Sequence, residues 1–336
     1  MRAARRSSVT VEAPCRADLA GGTLDIWPLG LLHPGSVTVN AAIPVFVRLE
    51  LEPGAPEGVL QHRIGDGPAT VLGSGDAGHD LTAAVVFALR PKGGIAVRVL
   101  SQAGIGSGLG GSSAYAVALA RGILALDGRA MADEELVRLA RDLEARTLGT
   151  ATGVQDHWPA IKGGALAVHH VPGGAQVEEL AVEAAWIDAR LTVFDTGISH
   201  HSGMVNWQVI RRRLDGDSRA TESLEVIADA ARSCRAALLE RDEARVGEAI
   251  AAEWAARRRL APPVCPPELH AIEEAVVAAG VRACKACGAG GGGSMLLWHA
   301  PEARERVVAA AQAAAPAGRV VAIGMTATGC RLIPSV

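Results

Sequence analysis

Residues 103–119 read AGIGSGLGGSSAYAVAL, a glycine-rich loop that runs through a serine pair straight into an apolar, helix-forming segment. Five of the eight residues from Gly104 to Gly111 are glycine, the residue that loses most conformational freedom on folding. Such a loop makes physical sense where backbone N–H groups must come close to a ligand. The helix start just beyond it favours an anion. The loop points to a phosphate site, and the rest of the chain must be arranged to present it.

Composition limits what surrounds that site. The 336 residues suffice for two domains around linked cores. With 49% hydrophobic and 21% charged residues the chain is of soluble globular type, and a net charge of −3 gives no electrostatic reason to expect nucleic acid. No apolar run is long enough to span a membrane, and the basic residues 1–8 lead into VTVEAP rather than an apolar signal core. Cys15, Cys234, Cys265, Cys284, Cys287 and Cys330 lack the spacing of a disulfide framework. The expectation is a reduced, cytoplasmic protein with no membrane or nucleic-acid partner; its oligomeric state is left open.

Hydrophobic patterning predicts strands at 9–13, 36–42, 45–51, 59–64 and 95–100, the last delivering the chain to the glycine loop. Residues 13–28 read as an irregular loop whose Arg16, Asp18, Thr23 and Asp25 suit a cleft lining. Helices are expected at 80–89, at 114–126 and at 133–147, with Asp133 as N-cap of the last. A strand at 186–194 opens a second half, followed by helices at 221–239 and 243–260 and one begun by Pro266 and Pro267. A second glycine-rich loop, CGAGGGGS, then leads into the strand MLLW, a helix at 301–314 and a strand at 319–323. Strands come before helices in the first half and helices dominate the second, which favours an α+β class with domains at 1–188 and 189–336.

Three phosphate-loop templates compete. A Walker A loop needs GxxxxGK[ST], and no Gly-Lys-Ser/Thr occurs in the chain. Gly106, Gly108 and Gly111 do spell GxGxxG, but a dinucleotide fold requires a second strand ending in an acidic residue. The chain instead continues as LDGRAMADEELVRLARDLEAR, a turn and another helix. The third template fits: residues 108–114, GLGGSSA, resemble the second motif of the GHMP kinase family (galactokinase, homoserine kinase, mevalonate kinase, phosphomevalonate kinase), whose usual form is PxxxGLGSSAA. Ala103 or Gly104 stands where the proline is usual, and Gly111 where the first serine is.

Other landmarks come in the family's order. Residues 13–25, APCRADLAGGTLD, look like its first motif with Cys15 in place of a glycine, and residues 285–295, KACGAGGGGSM, are similar to its third. Gly153-Val154-Gln155-Asp156 resembles the segment that carries the family's catalytic aspartate. The echo is strongest for the sugar kinases, especially bacterial heptose-phosphate kinases.

The resemblance implies a two-domain fold, with an N-terminal domain like ribosomal S5 domain 2, a ferredoxin-like C-terminal domain and the active site between them. It implies ATP- and Mg²⁺-dependent phosphorylation of a hydroxyl on a small-molecule sugar or sugar phosphate. A non-sugar alcohol such as mevalonate or homoserine, a dinucleotide-dependent oxidoreductase and a catalytically silent binder are the alternatives. Backbone groups of Gly104, Gly106, Gly108, Leu109, Gly110, Gly111, Ser112 and Ser113 would hold the nucleotide phosphates, with Ser112 and Glu144 as Mg²⁺ ligands. Asp156 would take the acceptor's proton with Arg16 beside it. Asp18, Gly22, Thr23, Asp25 and Asp156 would bind acceptor hydroxyls, joined by Thr196, Gly197 and His201 from the 195–203 loop, DTGISHHSG. Each also has a structural reading: a helix N-cap for Ser112 and Asp156, a surface pair for Glu144, a loop salt bridge for Arg16. Arg211, Arg212 and Arg213 are candidates for a cationic subsite, should the substrate already carry a phosphate.

Overall fold

A computed structural model of the chain describes residues 8–101, 103–104, 106–198, 203–260 and 262–334, the side chains of 203–205 and 262 excepted. In chain order the first part forms β1 (Val9–Ala20), α1 (Leu29–Leu32), β2 (Val37–Ala55), β3 (Leu60–Ile64), β4 (Thr70–Leu72), α2 (Leu81–Leu89) and β5 (Gly94–Ser101). Next come α3 (Gly111–Asp127), α4 (Asp133–Leu148), α5 (His157–Lys162), β6 (Ala165–Val171), β7 (Gly174–Glu179) and α6 (Ala184–Asp188). The remainder is β8 (Leu191–Asp195), α7 (Gly203–Leu214), α8 (Ser218–Glu240), α9 (Glu243–Leu260), α10 (Pro267–Ala278), β9 (Ala283–Ala286), β10 (Ser294–Trp298), α11 (Arg304–Ala314), β11 (Arg319–Ile323) and β12 (Arg331–Ile333).

The strands form two sheets. The first has the order β12-β1-β2-β5-β3-β4, with β6 pairing the start of β2 and β7 pairing β6; the second is β11-β8-β10-β9. All pairings are antiparallel except β3 with β5. The class is α+β, as the residue pattern indicates. Among the described residues no helix is long and apolar enough to cross a membrane.

Several boundaries differ from the pattern-based expectation, each for a physical reason. β1 does not end at Ala13 but continues to Ala20, carrying Arg16 and Asp18 in extended backbone rather than in a loop. Both of its faces are covered from Val11 onward, so the usual in/out alternation is missing. β2 is one strand, not two. The register shift that pairs Pro14 with Phe46 and Cys15 with Ile43 passes over Pro44, whose missing N–H needs no ladder partner. Ala132, not Asp133, is the N-cap of α4; the Asp133 carboxylate pairs instead with Arg121 and with Lys162 at 2.9 Å. The expected strand at 186–194 divides into α6 and β8. β12 crosses back to pair with β1, so the end of the chain returns to the first sheet.

One apolar core runs through both sheets: Val193, Leu296 and Trp298 of the second pack in the same cluster as Val39 and Leu49 of the first and Leu119 of α3. A satellite core lies under α10 and α11, and a third joins Leu24, Ile26 and Leu29 to α7, α8 and α9. The two glycine-rich loops meet where the sheets adjoin. A Cβ on Gly108 (φ +73°) would lie 2.5 Å from the carbonyl oxygen of Cys287, and one on Gly293 2.6 Å from that of Gly106. The Ser294 N–H donates to the Ser107 carbonyl at 2.8 Å. Backbone packs on backbone here, which only glycine permits. Gly108→Ala should therefore lower unfolding stability by about 1–3 kcal/mol in urea denaturation, and an unchanged midpoint would show that the loops do not bear on each other.

Candidate active site

A cavity of about 540 Å³ opens between the glycine loop, the end of the β1 segment and the start of α5. Its floor is the loop itself. Gly106, Gly108 and Gly110 alternate in the left-handed region, which turns successive N–H groups toward one side, the nest geometry that binds anions. Gly110 is the N-cap of α3 and offers no side chain, so among the described residues no side chain caps the first N–H groups of the helix. Gly104, Gly106, Gly108, Leu109, Gly110, Gly111, Ser112 and Ser113 all line the cavity, as expected of a phosphate cradle.

The serine pair divides its work. Ser113 is buried and donates to Glu144 Oε2 at 2.8 Å, whereas Ser112 is exposed to the cavity. Glu144 sits on the buried face of α4, with His157 Nε2 3.3 Å from Oε2. Burial works against its charge, but His157, Ser112 and Ser113 outweigh it and hold the carboxyl below the usual glutamate range. A charged carboxylate and an open hydroxyl beside an anion nest fit Mg²⁺, which takes hard oxygen donors and few of them from protein.

Asp156 is the N-cap residue of α5, but its side chain makes no capping hydrogen bond. Its Oδ1 accepts from Arg16 Nε at 2.7 Å and lies 2.6 Å from the second guanidinium nitrogen. The Arg16 side chain is 3% exposed and that of Asp156 25%. Arg16 also donates to the Gly108 carbonyl through its guanidinium and to the Leu109 carbonyl through its backbone N–H at 3.0 Å. Asp156 in turn rests on the loop: a Cβ on Gly110 would lie 3.1–3.2 Å from its Cβ, Cγ and Oδ2. The aspartate, its arginine and the phosphate cradle are thus one assembly.

The sequence-derived acceptor residues separate into two groups. Thr23, held at φ +81°, and Asp25 line the cavity. Asp25 Oδ2 accepts from the Gln155 N–H at 3.2 Å, and a Cβ on Gly153 would collide with it. Burial, then the charge of Asp156, pushes the Asp25 carboxyl up to about 6. Asp18 does not reach the cavity. It is wholly buried, with Lys285 Nζ 3.1 Å from Oδ1 and Arg257 3.5 Å from Oδ2. Gly22 packs against that carboxylate and outside the cavity lining, since a Cβ there would lie 2.6 Å from Asp18 Oδ2.

Thr196 is also turned inward, its hydroxyl donating to the Gly293 carbonyl at 2.5 Å, and Gly197 abuts Ala317. Thr196 thus braces the second glycine loop, and neither residue lines the cavity. His201, with Ser199, His200 and Ser202, lies outside the described residues. The arginine triplet is spent elsewhere: Arg211 faces Asp215 at the surface, Arg212 pairs with Asp217, and Arg213 donates to His33.

The cavity also recruits residues that pattern reading does not single out. Tyr115, the chain's one tyrosine, closes the far end with His62 and Thr82, its hydroxyl 2.9 Å from Thr82 Oγ1 and its ring edge-on to the imidazole. Asn206 of α7, Arg257 of α9, Gly288 and Ala289 complete the wall. Cys284 and Cys287 are buried thiols pushed up to about 12 by burial, and they stay protonated beside the second glycine loop.

Comparison with known proteins agrees with this geometry. The model of the GHMP kinases N-terminal domain matches residues 80–164 and that of the GHMP kinases C-terminal domain residues 234–317, together half of the chain. The chain belongs to the GHMP kinase family, whose members are small-molecule phosphotransferases. It is 24% identical to the D-glycero-alpha-D-manno-heptose 7-phosphate kinase of Campylobacter jejuni over 323 residues, covering 90% of this chain and 93% of that protein. Its fold matches the crystal structure of a D-glycero-D-manno-heptose 1-phosphate kinase from Bacteroides thetaiotaomicron at a TM-score of 0.75, with 21% identity and 98% and 99% of the two chains covered. Lactococcus lactis galactokinase in complex with galactose superposes at 0.79, with 14% identity over 97% and 95% of the chains.

The raised Asp25 carboxyl gives a test of the site's electrostatics. Its folded-state value lies above the ordinary 3.8, so the charged form costs stability at pH above about 6 and that cost vanishes as pH falls toward 4. Asp25→Asn should raise the thermal midpoint relative to wild type at pH 8 and leave the two nearly equal at pH 4. A difference independent of pH would remove the assignment.

Proposed function

We propose that this protein transfers the γ-phosphoryl group of ATP to a hydroxyl of a sugar or sugar phosphate. The observation that carries this reading is the Arg16–Asp156 pair seated directly on the phosphate cradle. It sets a proton acceptor beside the place where a terminal phosphoryl group would rest. In this reading the loop N–H groups bind the triphosphate, and the Tyr115, His62 and Thr82 end takes the nucleoside. The acceptor enters at the Thr23, Asp25, Gln155, Asn206 and Arg257 end.

Asp156 Oδ1 is occupied by Arg16, so Oδ2 is the oxygen left to accept the acceptor's O–H. As the hydroxyl oxygen bonds to phosphorus, its proton passes to Oδ2 and the bond from phosphorus to the leaving diphosphate breaks. Arg16 orients Asp156 through Oδ1 and would stabilise the acceptor oxygen as it gains charge. Ser112 and Glu144 would hold Mg²⁺, which neutralises charge on the phosphate oxygens. The polar acceptor wall suits a polyol better than a largely apolar acid such as mevalonate. Six cysteines without a disulfide among them suit a reducing, cytoplasmic setting.

The test is ADP release with ATP and Mg²⁺ over a panel of D-galactose, D-mannose, L-fucose and D-glycero-D-manno-heptose 7-phosphate, with mevalonate and homoserine as non-sugar acceptors. Turnover should appear with a sugar and be absent with the other two, and Asp156→Asn should lower it about 10²-fold or more. Release with mevalonate or homoserine alone would overturn the acceptor class, and an unimpaired variant would remove Asp156 from the proton transfer.

A further inference from the structure

Away from the cavity, the start of α10 gathers three side chains with metal-binding chemistry. Cys265 stands just before Pro266 and Pro267, which begin the helix, and His270 and Glu273 follow a turn apart on one face of it. The ligand atoms of the three lie within 4.8 Å of one another, and among the described residues no other group of cysteine, histidine and carboxylate side chains converges so closely. Glu273 Oε2 is 3.5 Å from His270 Nδ1 and 3.9 Å from Cys265 Sγ. A tetrahedral ion with ordinary zinc bond lengths needs its ligand atoms about 3.4–3.6 Å apart. Both edges stand within about 0.3 Å of that spacing.

The groups around the trio suit a metal as well. Glu274 Oε1 is 3.6 Å from His270 Nε2, the ring nitrogen turned away from Glu273. A carboxylate in that position is the usual outer partner of a metal-bound imidazole. A guanidinium nitrogen of Arg258 donates to Glu273 Oε2 at 2.9 Å. That arginine is no rival to an ion, because a carboxylate has about four lone-pair sites and ligating carboxylates are commonly hydrogen-bonded too. A divalent ion would be neutralised by a Cys265 thiolate and Glu273, while Arg258 offsets Glu274. The approach is open: the His270 side chain is 55% exposed and Cys265 is half-buried.

Ligand type decides the ion. Sulfur, imidazole and carboxylate together favour Zn²⁺, whereas Mg²⁺ takes oxygen donors. We propose that Cys265 Sγ, His270 Nδ1 and Glu273 Oε2 form a Zn²⁺ site, with water as the fourth ligand. On binding, the S–H bond of Cys265 gives way to an S–Zn bond and its proton passes to solvent. The ion ties Cys265, and with it the short turn Pro262–Val264, to α10. Val264 supports the second glycine loop: its carbonyl accepts from the Gly291 N–H at 2.7 Å, and a Cβ on Gly290 would lie 2.5 Å from its side chain. The three ligands lie outside the lining of the phosphate cavity, and the proposal does not rest on the kinase reading.

The full chain, free of any affinity tag and stripped of metal with EDTA, is titrated with Co²⁺ as the coloured substitute for Zn²⁺. A single equivalent should bring up a thiolate-to-cobalt charge-transfer band, which Zn²⁺ then abolishes by displacement. The oxygen donors of the phosphate cavity cannot produce that band. Cys265→Ser should remove it, and Cys330→Ser, which alters the other half-buried cysteine, should leave it intact. His270→Gln changes an exposed side chain and so leaves the packing alone; it should weaken Co²⁺ binding by about 100-fold, the upper end of what losing even an outer partner costs. Zn²⁺ should raise the thermal midpoint of wild type but not of Cys265→Ser or His270→Gln. Absence of the band in wild type, its survival in Cys265→Ser, its loss in Cys330→Ser, or undiminished binding by His270→Gln would each overturn the proposal.

Discussion

The buried guanidinium of Arg16 is the contact on which the site depends. It hydrogen-bonds the loop carbonyl at Gly108, while its own backbone N–H holds the next carbonyl, and it grips Asp156 from another part of the chain. Three segments far apart in sequence are fixed by one side chain that is 3% exposed. A cation placed there must be paired, because an unpartnered buried charge is far more costly than a paired one is beneficial. That requirement seats the Asp156 carboxylate on the glycine loop, and in the proposed reaction proximity of this kind would supply much of what phosphoryl transfer needs.

The pairing does not stop at Arg16. Asp18 lies two residues along the same strand and so on the same face, and it meets Lys285 and Arg257, which meet Glu253. Positive and negative groups thus alternate from Asp156 on one side of the cleft to α9 on the other. Because β1 belongs to the first sheet and β9 to the second, this chain of charges crosses the junction between them. The shared apolar core supplies cohesion there, and the ions supply register. The two glycine loops, in backbone contact at Gly108 and Gly293, close the same junction from the ligand side.

Much of the site was readable because its signals are local. A glycine loop running into a helix, a serine pair, and an aspartate just before a short helix are each contiguous in sequence. Ser112 and Asp156 from these stretches, Thr23 and Asp25 from residues 13–28, and Glu144, placed by the family resemblance, all line one cavity. Asp18, Thr196 and Gly197 were equally polar or loop-like and turned out to face inward. Asp18 is the instructive case. In the strip RADLAGGTLD its carboxylate looks no different from that of Asp25. Lys285, well over two hundred residues away, claims one for an ion cluster, while Gly153 makes room for the other at the cavity wall. Tyr115 and Arg257 escaped notice for the converse reason, each sitting in an ordinary helical pattern whose buried face happens to meet the ligand cavity.

The motifs in their order carried the resemblance to the family, and the amino-acid order alone determined the class of fold and the position of the glycine-rich loop. Those features arise from backbone conformational freedom and short-range periodicity, which are properties of neighbouring residues. Tertiary structure decided which carboxylates line the cavity and which are buried counter-ions. It also carried β1 past its apparent end and brought β12 back to the first sheet. Those outcomes rest on burial and on charge pairing between distant segments, and the electrostatic cost of an unpaired buried ion is settled only when the whole chain has closed around it.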